Sequence, residues 1–116
     1  MKYLIAFFGA SAVLLGALGA HTLAPYLEAS ALNSFKTGVL YQLVHAVALL
    51  ATLKSNIPNW ARHCWSAGII LFSFSIYLLA TDDLLGVNLS FLGPITPLGG
   101  LAFVVGWIGS ALPKSN

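Results

Sequence analysis

Three histidines, three carboxylates, one cysteine and a scatter of hydroxyl and amide side chains hold most of the reactive chemistry in this 116-residue chain. His45 lies at the midpoint of KTGVLYQLVHAVALLATLK, the run from Lys36 to Lys54, with Tyr41 and Gln42 one turn before it. A neutral imidazole donates through one ring nitrogen and accepts through the other. It can therefore relay a proton, bind a ligand or metal, or join two helices. An interhelical hydrogen bond of that last kind is worth about 1 kcal/mol. Both the functional and the structural role stay open for His45. His21 sits closer to the end of its apolar run, where the functional case is weaker.

A metal needs several converging ligands, and only His21 and His45 are deep candidates. His63 and Cys64 belong to the opposite boundary, so no metal site is expected. No G-x-S-x-G motif occurs, and the serines have no carboxylate at membrane depth to complete a triad. No catalytic residue and no cofactor are therefore assigned, and the chain reads as a non-enzyme. Asp82-Asp83 reads as a solvated turn, and the match of Asn88-Leu89-Ser90 to a glycosylation pattern as accidental. No span carries Asp, Glu, Lys or Arg in its core, which weighs against a cation exporter.

The elements that position these residues follow from composition. The chain is 59% hydrophobic and 7% charged, whereas a soluble domain carries about 25% charged residues. An integral membrane protein follows, with membrane lipid as its surroundings. The net charge of +2 is too small and too dispersed for a nucleic-acid partner. A single cysteine excludes an intramolecular disulfide. Apolar runs at Tyr3–Ala20, Gly38–Leu53, Cys64–Thr81 and Pro94–Leu112 each approach the length that crosses hydrocarbon. The predicted fold is all-α, a four-helix membrane bundle forming one domain over residues 1–116. The segment Tyr26–Phe35 extends the second helix, with Ser30 and Asn33 as candidate caps. The first run resembles a signal peptide but exceeds the usual apolar core, so a retained helix is expected. Lys2, Lys54, Arg62 and Lys114 share one side, which places both termini in the cytoplasm of a bacterial inner membrane. Trp60 and Trp65 read as interfacial aromatics beside the third span.

Helical periodicity then assigns faces. In the first span Gly9, Ala12, Gly16, Gly19 and Ala20 fall within about 100° of arc, opposite Leu4, Phe7, Phe8, Leu14, Leu15 and Leu18. In the fourth, Gly99, Ala102, Gly106, Gly109 and Ser110 form a similar stripe. Small residues let helices approach in lipid, so both stripes read as packing seams. In the second span Tyr41, Gln42 and His45 face the bundle, and Leu43, Val47 and Leu50 face away. Grouped by depth, His21, Tyr41, Gln42, His45, Tyr77 and Thr96 predict an outward-half polar pocket, closed below His45 and open to an unidentified small-molecule ligand. Four short helices leave little room for a sealed pathway, which is consistent with a homo-oligomer.

Four stretches, LGALGAHTL (Leu15–Leu23), FKTGVLYQLVHAVALL (Phe35–Leu50), LFSFSIYLLA (Leu71–Ala80) and LGPITPLGGLAFVVGW (Leu92–Trp107), together touch every span. In this combination the chain resembles the domain-of-unknown-function 423 family of small bacterial membrane proteins, related to the transmembrane protein 256 group. The resemblance implies Gly19-Ala20-His21, Thr37-Gly38, Tyr41-Gln42, His45, Ser73, Ser75, Tyr77, Ile95-Thr96-Pro97 and Gly99-Gly100 as pattern positions. Phe74 departs from it where a glycine is expected, which places a close helix approach in question. The family carries no assigned reaction. The leading expectation is a membrane protein that acts by packing or binding. The alternatives are a small carrier or channel using His45 and Gln42 and, more weakly, an enzyme acting on a lipid or quinone.

Overall fold

A computed structural model describes residues 1–115 as four long apolar helices. They are α1 (Lys2–Tyr26), α2 (Ala29–Ala51), α3 (Asn59–Leu85) and α4 (Ser90–Ser110), each long and apolar enough to span a membrane. They exceed the apolar runs because α2 and α4 start earlier, α1 ends later and α3 extends at both ends, into more polar sequence. Two of them change winding. α1 passes through a π turn at Gly19–Leu23 and a 3₁₀ turn at Ala24–Tyr26, and the chain is extended at Leu27. α3 widens into a π segment at Ile69–Phe74.

The helix ends have identifiable causes. Gly86 adopts φ 71°, a left-handed conformation that suits a residue without Cβ. Its N–H donates to the Asp83 carbonyl, and Val87 N–H to that of Asp82, which closes α3 in a Schellman arrangement. The Asp82 carboxylate accepts from Leu89 N–H at 3.3 Å. The acidic pair thus stands in a structured turn. α2 starts at Ala29 after Glu28, with no side-chain cap, so Ser30 and Asn33 lie inside the helix and do not cap it.

At the other end, buried Arg62 holds the chain after α2. Its Nε–H donates to the Thr52 carbonyl at 3.0 Å, and Nη2 donates to the carbonyls of Thr52 and Ser55. Nη1 reaches Asn59 Oδ1 at 2.9 Å and the Ile57 carbonyl at 3.4 Å. None of these partners is a carboxylate. The charge rests on oxygens at the negative end of the α2 dipole. Lys114 N–H donates to the Asn56 carbonyl at 3.0 Å, which brings the C-terminal segment to the same loop.

The helices pack in chain order. α1 lies along α2, α2 against the second half of α3, and α3 along α4. In lipid such contacts rest on close van der Waals fit. A Cβ on Gly99 would strike the backbone of Leu71 and Phe72 within the π segment, and one on Gly106 would strike the Trp65 ring. On Gly19 it would meet Phe35. A core of Ile5, Phe8, Ala46, Leu49, Ala61, Trp65, Ile69 and Phe103 runs through the terminal half.

Several expected faces are corrected. Phe8, placed with the outward residues, is 1% exposed, whereas Gly9 has no neighbour that a Cβ would meet. The buried arc of α1 is rotated toward Ile5, Phe8 and Ala12, because large side chains there fill space beside α2 and α3. Trp65, grouped with Trp60 as an interfacial aromatic, is fully buried in the core, while Trp60 is exposed. Phe74 stands between α1 and α3, with its ring 6.4 Å from Phe7, 6.3 Å from Phe8 and 5.9 Å from Tyr77. It fills a gap that a glycine would leave open.

Candidate functional site

The amide of Gln42 joins three helices. Its side chain is wholly buried. Nε2 donates to the Phe8 carbonyl at 2.8 Å and to Ser11 Oγ at 2.7 Å, both on α1. Oε1 accepts from the Tyr77 hydroxyl of α3 at 2.6 Å. The carbonyl of Phe8 can only accept, which fixes the amide's orientation. Ser73 Oγ–H donates to the Gly38 carbonyl at 2.8 Å, a second α3–α2 bond on the same flank. Each donor and the acceptor of Gln42 are therefore engaged inside the protein, as hydrocarbon depth requires.

His45 turns the other way, toward α4. Its Nε2 lies 2.9 Å from Trp107 Nε1. An indole N–H can only donate, so Nε2 is the acceptor. Nδ1 then carries the hydrogen and donates to the Tyr41 carbonyl at 2.7 Å. The imidazole is held as one neutral tautomer with both nitrogens in use. Its ring stacks on Phe103 at 3.7 Å between centroids and 13° between planes. Nothing in this geometry leaves a ring nitrogen free to accept a proton or hold a ligand.

The six residues expected around one pocket are not gathered. His21 is exposed within the α1 π turn. Gln42 and Tyr77 form the buried α1–α2–α3 junction. His45 packs toward α4, and Tyr41 is 42% exposed, contrary to its expected burial. Thr96 Oγ1 pairs with Ser75 Oγ at 2.6 Å, joining α4 to α3. A single pocket fails because the helices pack in sequence and do not close around a centre. Of the expected seam residues, Ala12, Gly19, Gly99, Gly106 and Gly109 are buried, Gly16 and Ala102 partly so, and Gly9 is without a packing neighbour. Leu43, Val47 and Leu50 are exposed, as their face of α2 implies.

Among the open cavities of the described residues, two contain residues of the expected pocket. One, of about 640 Å³, lies at the end bearing the acidic turn. Ser30, Asn33, Ser34 and Thr37 of α2 form one wall, facing Ile76, Leu79, Thr96 and Pro97. The other, of about 600 Å³, opens between α2 and α4 and is lined by Tyr41, His45, Phe72, Phe103 and Trp107 among others. Among the described residues, no three His, Cys, Asp or Glu side chains could share a metal ion.

Sequence reasoning passed over Ser11, Trp107 and the structural role of Arg62. Trp107 had a usable signal, since an indole N–H inside a span favours an acceptor, although that of buried Trp65 has none among the described residues. Ser11 had a weaker one, since a serine in an apolar helix can bond its own backbone, as it also does to the Phe8 carbonyl at 3.3 Å.

A family profile described as "Protein of unknown function (DUF423)" matches residues 15–100. A "UPF0382 membrane protein" of Haemophilus influenzae is 41% identical, with 95% of this chain and 90% of the relative covered. "UPF0382 membrane protein YwdK" of Bacillus subtilis is 43% identical over 84% of this chain and 80% of its own length. "UPF0382 inner membrane protein YgdD" of Escherichia coli is 35% identical over 82% and 73% respectively. No solved structure matches. The four apolar helices and these relatives make the chain a membrane protein, and it belongs to the DUF423 family.

Proposed function

We propose that this chain is a non-enzymatic membrane protein, one four-span unit in a bacterial inner membrane with both termini in the cytoplasm. Its mid-depth polar groups serve as internal fastenings. Its polar surface is densest in the cleft at the acidic-turn end, where Ser30, Asn33, Ser34 and Thr37 offer hydroxyl and amide groups to an uncharged polar ligand or lipid headgroup. The reading rests chiefly on the saturation of Gln42 and His45: a translocating residue must exchange partners, and these two have theirs within the protein. Below them Trp65, Ile69, Leu49 and Phe8 fill the terminal half with apolar volume.

Flux through purified protein in sealed liposomes tests this reading. Under an imposed proton or cation gradient, the wild type and His45→Ala should both match protein-free vesicles. Protein-dependent flux abolished in His45→Ala would replace the binding reading with a carrier. Orientation is tested separately with reporter fusions after Asp83 and after Ser115. The two should give opposite signals, and active alkaline phosphatase at the C-terminal fusion would reverse the topology.

A further inference from the structure

We propose that the lateral groove between α2 and α4 seats a neutral quinoid ring carried on a lipid tail, with the Tyr41 hydroxyl donating to one ring carbonyl. Tyr41 is the exception among the mid-helix polar groups of α2. Gln42 and His45 are fully engaged, but the Tyr41 hydroxyl has no hydrogen-bond partner among the described residues and the side chain is 42% exposed. Tyr41 lies within the span α2, so a carbonyl dissolved in the bilayer is an available acceptor for its hydroxyl.

The walls of the groove narrow the choice. The Tyr41 ring lies 4.9 Å from Phe72 and 6.1 Å from Phe103, at interplanar angles of 47° and 25°. Phe103 is itself stacked on His45. That stacking and its burial take the Phe103 face out of play, so the exposed Tyr41 ring and the half-buried Phe72 beside it are the aromatic surface offered to a flat conjugated ring. The lining carries no charged side chain, and Trp107 occupies the His45 acceptor, so Tyr41 supplies the free donor. A volume of about 600 Å³ falls in the range of small-molecule sites. Gly100 keeps the space open, since a Cβ there would meet only Phe72 Cδ2, at 3.9 Å. The groove opens sideways, where a tail continues into lipid.

The test uses the full chain in phosphatidylcholine nanodiscs, titrated with a short-tailed naphthoquinone while tryptophan fluorescence is recorded. Trp107 on the groove wall should give saturable quenching beyond that of a tryptophan octyl ester in the same discs. Tyr41→Phe keeps the ring and removes an unpartnered hydroxyl, and it should weaken binding roughly five- to tenfold. Gly100→Leu should abolish saturation, with Leu101→Trp as a second filling variant if the first fails to fold. Quenching no greater than that of the ester, or unchanged affinity in Tyr41→Phe, would overturn the proposal. So would equal competition by a ringless alkyl lipid, which would make the groove an acyl-chain slot. Cross-linking between two copies through Leu101→Cys that persists with quinone in excess would overturn it too, by assigning the groove to a second copy.

Discussion

Gln42 and His45 stand three residues apart on α2, yet one is locked on every side and the other borders an open groove. Three residues turn a helix by about 300°, so the two side chains diverge by about 60°. That angle suffices to send Gln42 to the junction of α1 and α3 and His45 past α3 toward α4. Gln42 gains three short hydrogen bonds and complete burial. His45 gains one side-chain partner, one bond to its own helix and a stacked ring, while its partner Trp107 stays 47% exposed. The difference lies in how many helices surround each position, and chemistry of the residue alone does not set it.

If that contrast is right, truncating the two residues should not cost the same. Gln42→Leu removes three bonds and strands the Tyr77 hydroxyl and a Phe8 carbonyl lone pair in a dry junction. It should lower stability by about 2 kcal/mol, measured by reversible unfolding in mixed detergent. His45→Leu should cost about 1 kcal/mol, because Trp107 can reorient toward the membrane surface and Leu still packs on Phe103. Equal losses would erase the contrast. A double-mutant cycle sharpens it further: Gln42→Leu with Tyr77→Phe should show a coupling of about 1 kcal/mol, and Gln42→Leu with His45→Leu a coupling near zero. The smallest effect belongs to Tyr41→Phe, which should change stability by less than about 0.5 kcal/mol because its hydroxyl has no protein partner. A larger loss would mean that Tyr41 is fastened within the fold and would tie it to the Gln42 side of the comparison.

The small-residue seams show how far periodicity alone reaches. On α4 it separated Gly99, Gly106 and Gly109, which are buried, from Leu101, Val104, Val105 and Ile108, which are exposed. The backbone of that helix lies closest to α3, so one stripe describes the near contact, while the longer side chains of Phe103 and Trp107 reach α2. On α1 the same reasoning put Phe8 outside, where it is in fact buried, and Gly9 in a packing seam, where it is half-buried beside a gap that faces α2. There the neighbouring surface includes Phe74, whose bulk draws aromatic contacts that a rule based on small residues does not anticipate.

The sequence by itself determined the solvent of this protein and its main divisions. Membrane residence, four helices and the inward placement of Gln42 and His45 follow from local solvation, because each stretch must match apolar or polar surroundings along its own length. It did not determine which groups would meet. Tyr77 with Gln42, Trp107 with His45, and Arg62 with the end of α2 join residues distant in the chain. Their pairing depends on the lateral order of the helices and on rotations of a few tens of degrees about each axis. Such rotations leave hydropathy nearly unchanged but decide whether a polar group reaches a partner on a neighbouring helix, as His45 does, or stays part-exposed at a groove, as Tyr41 does.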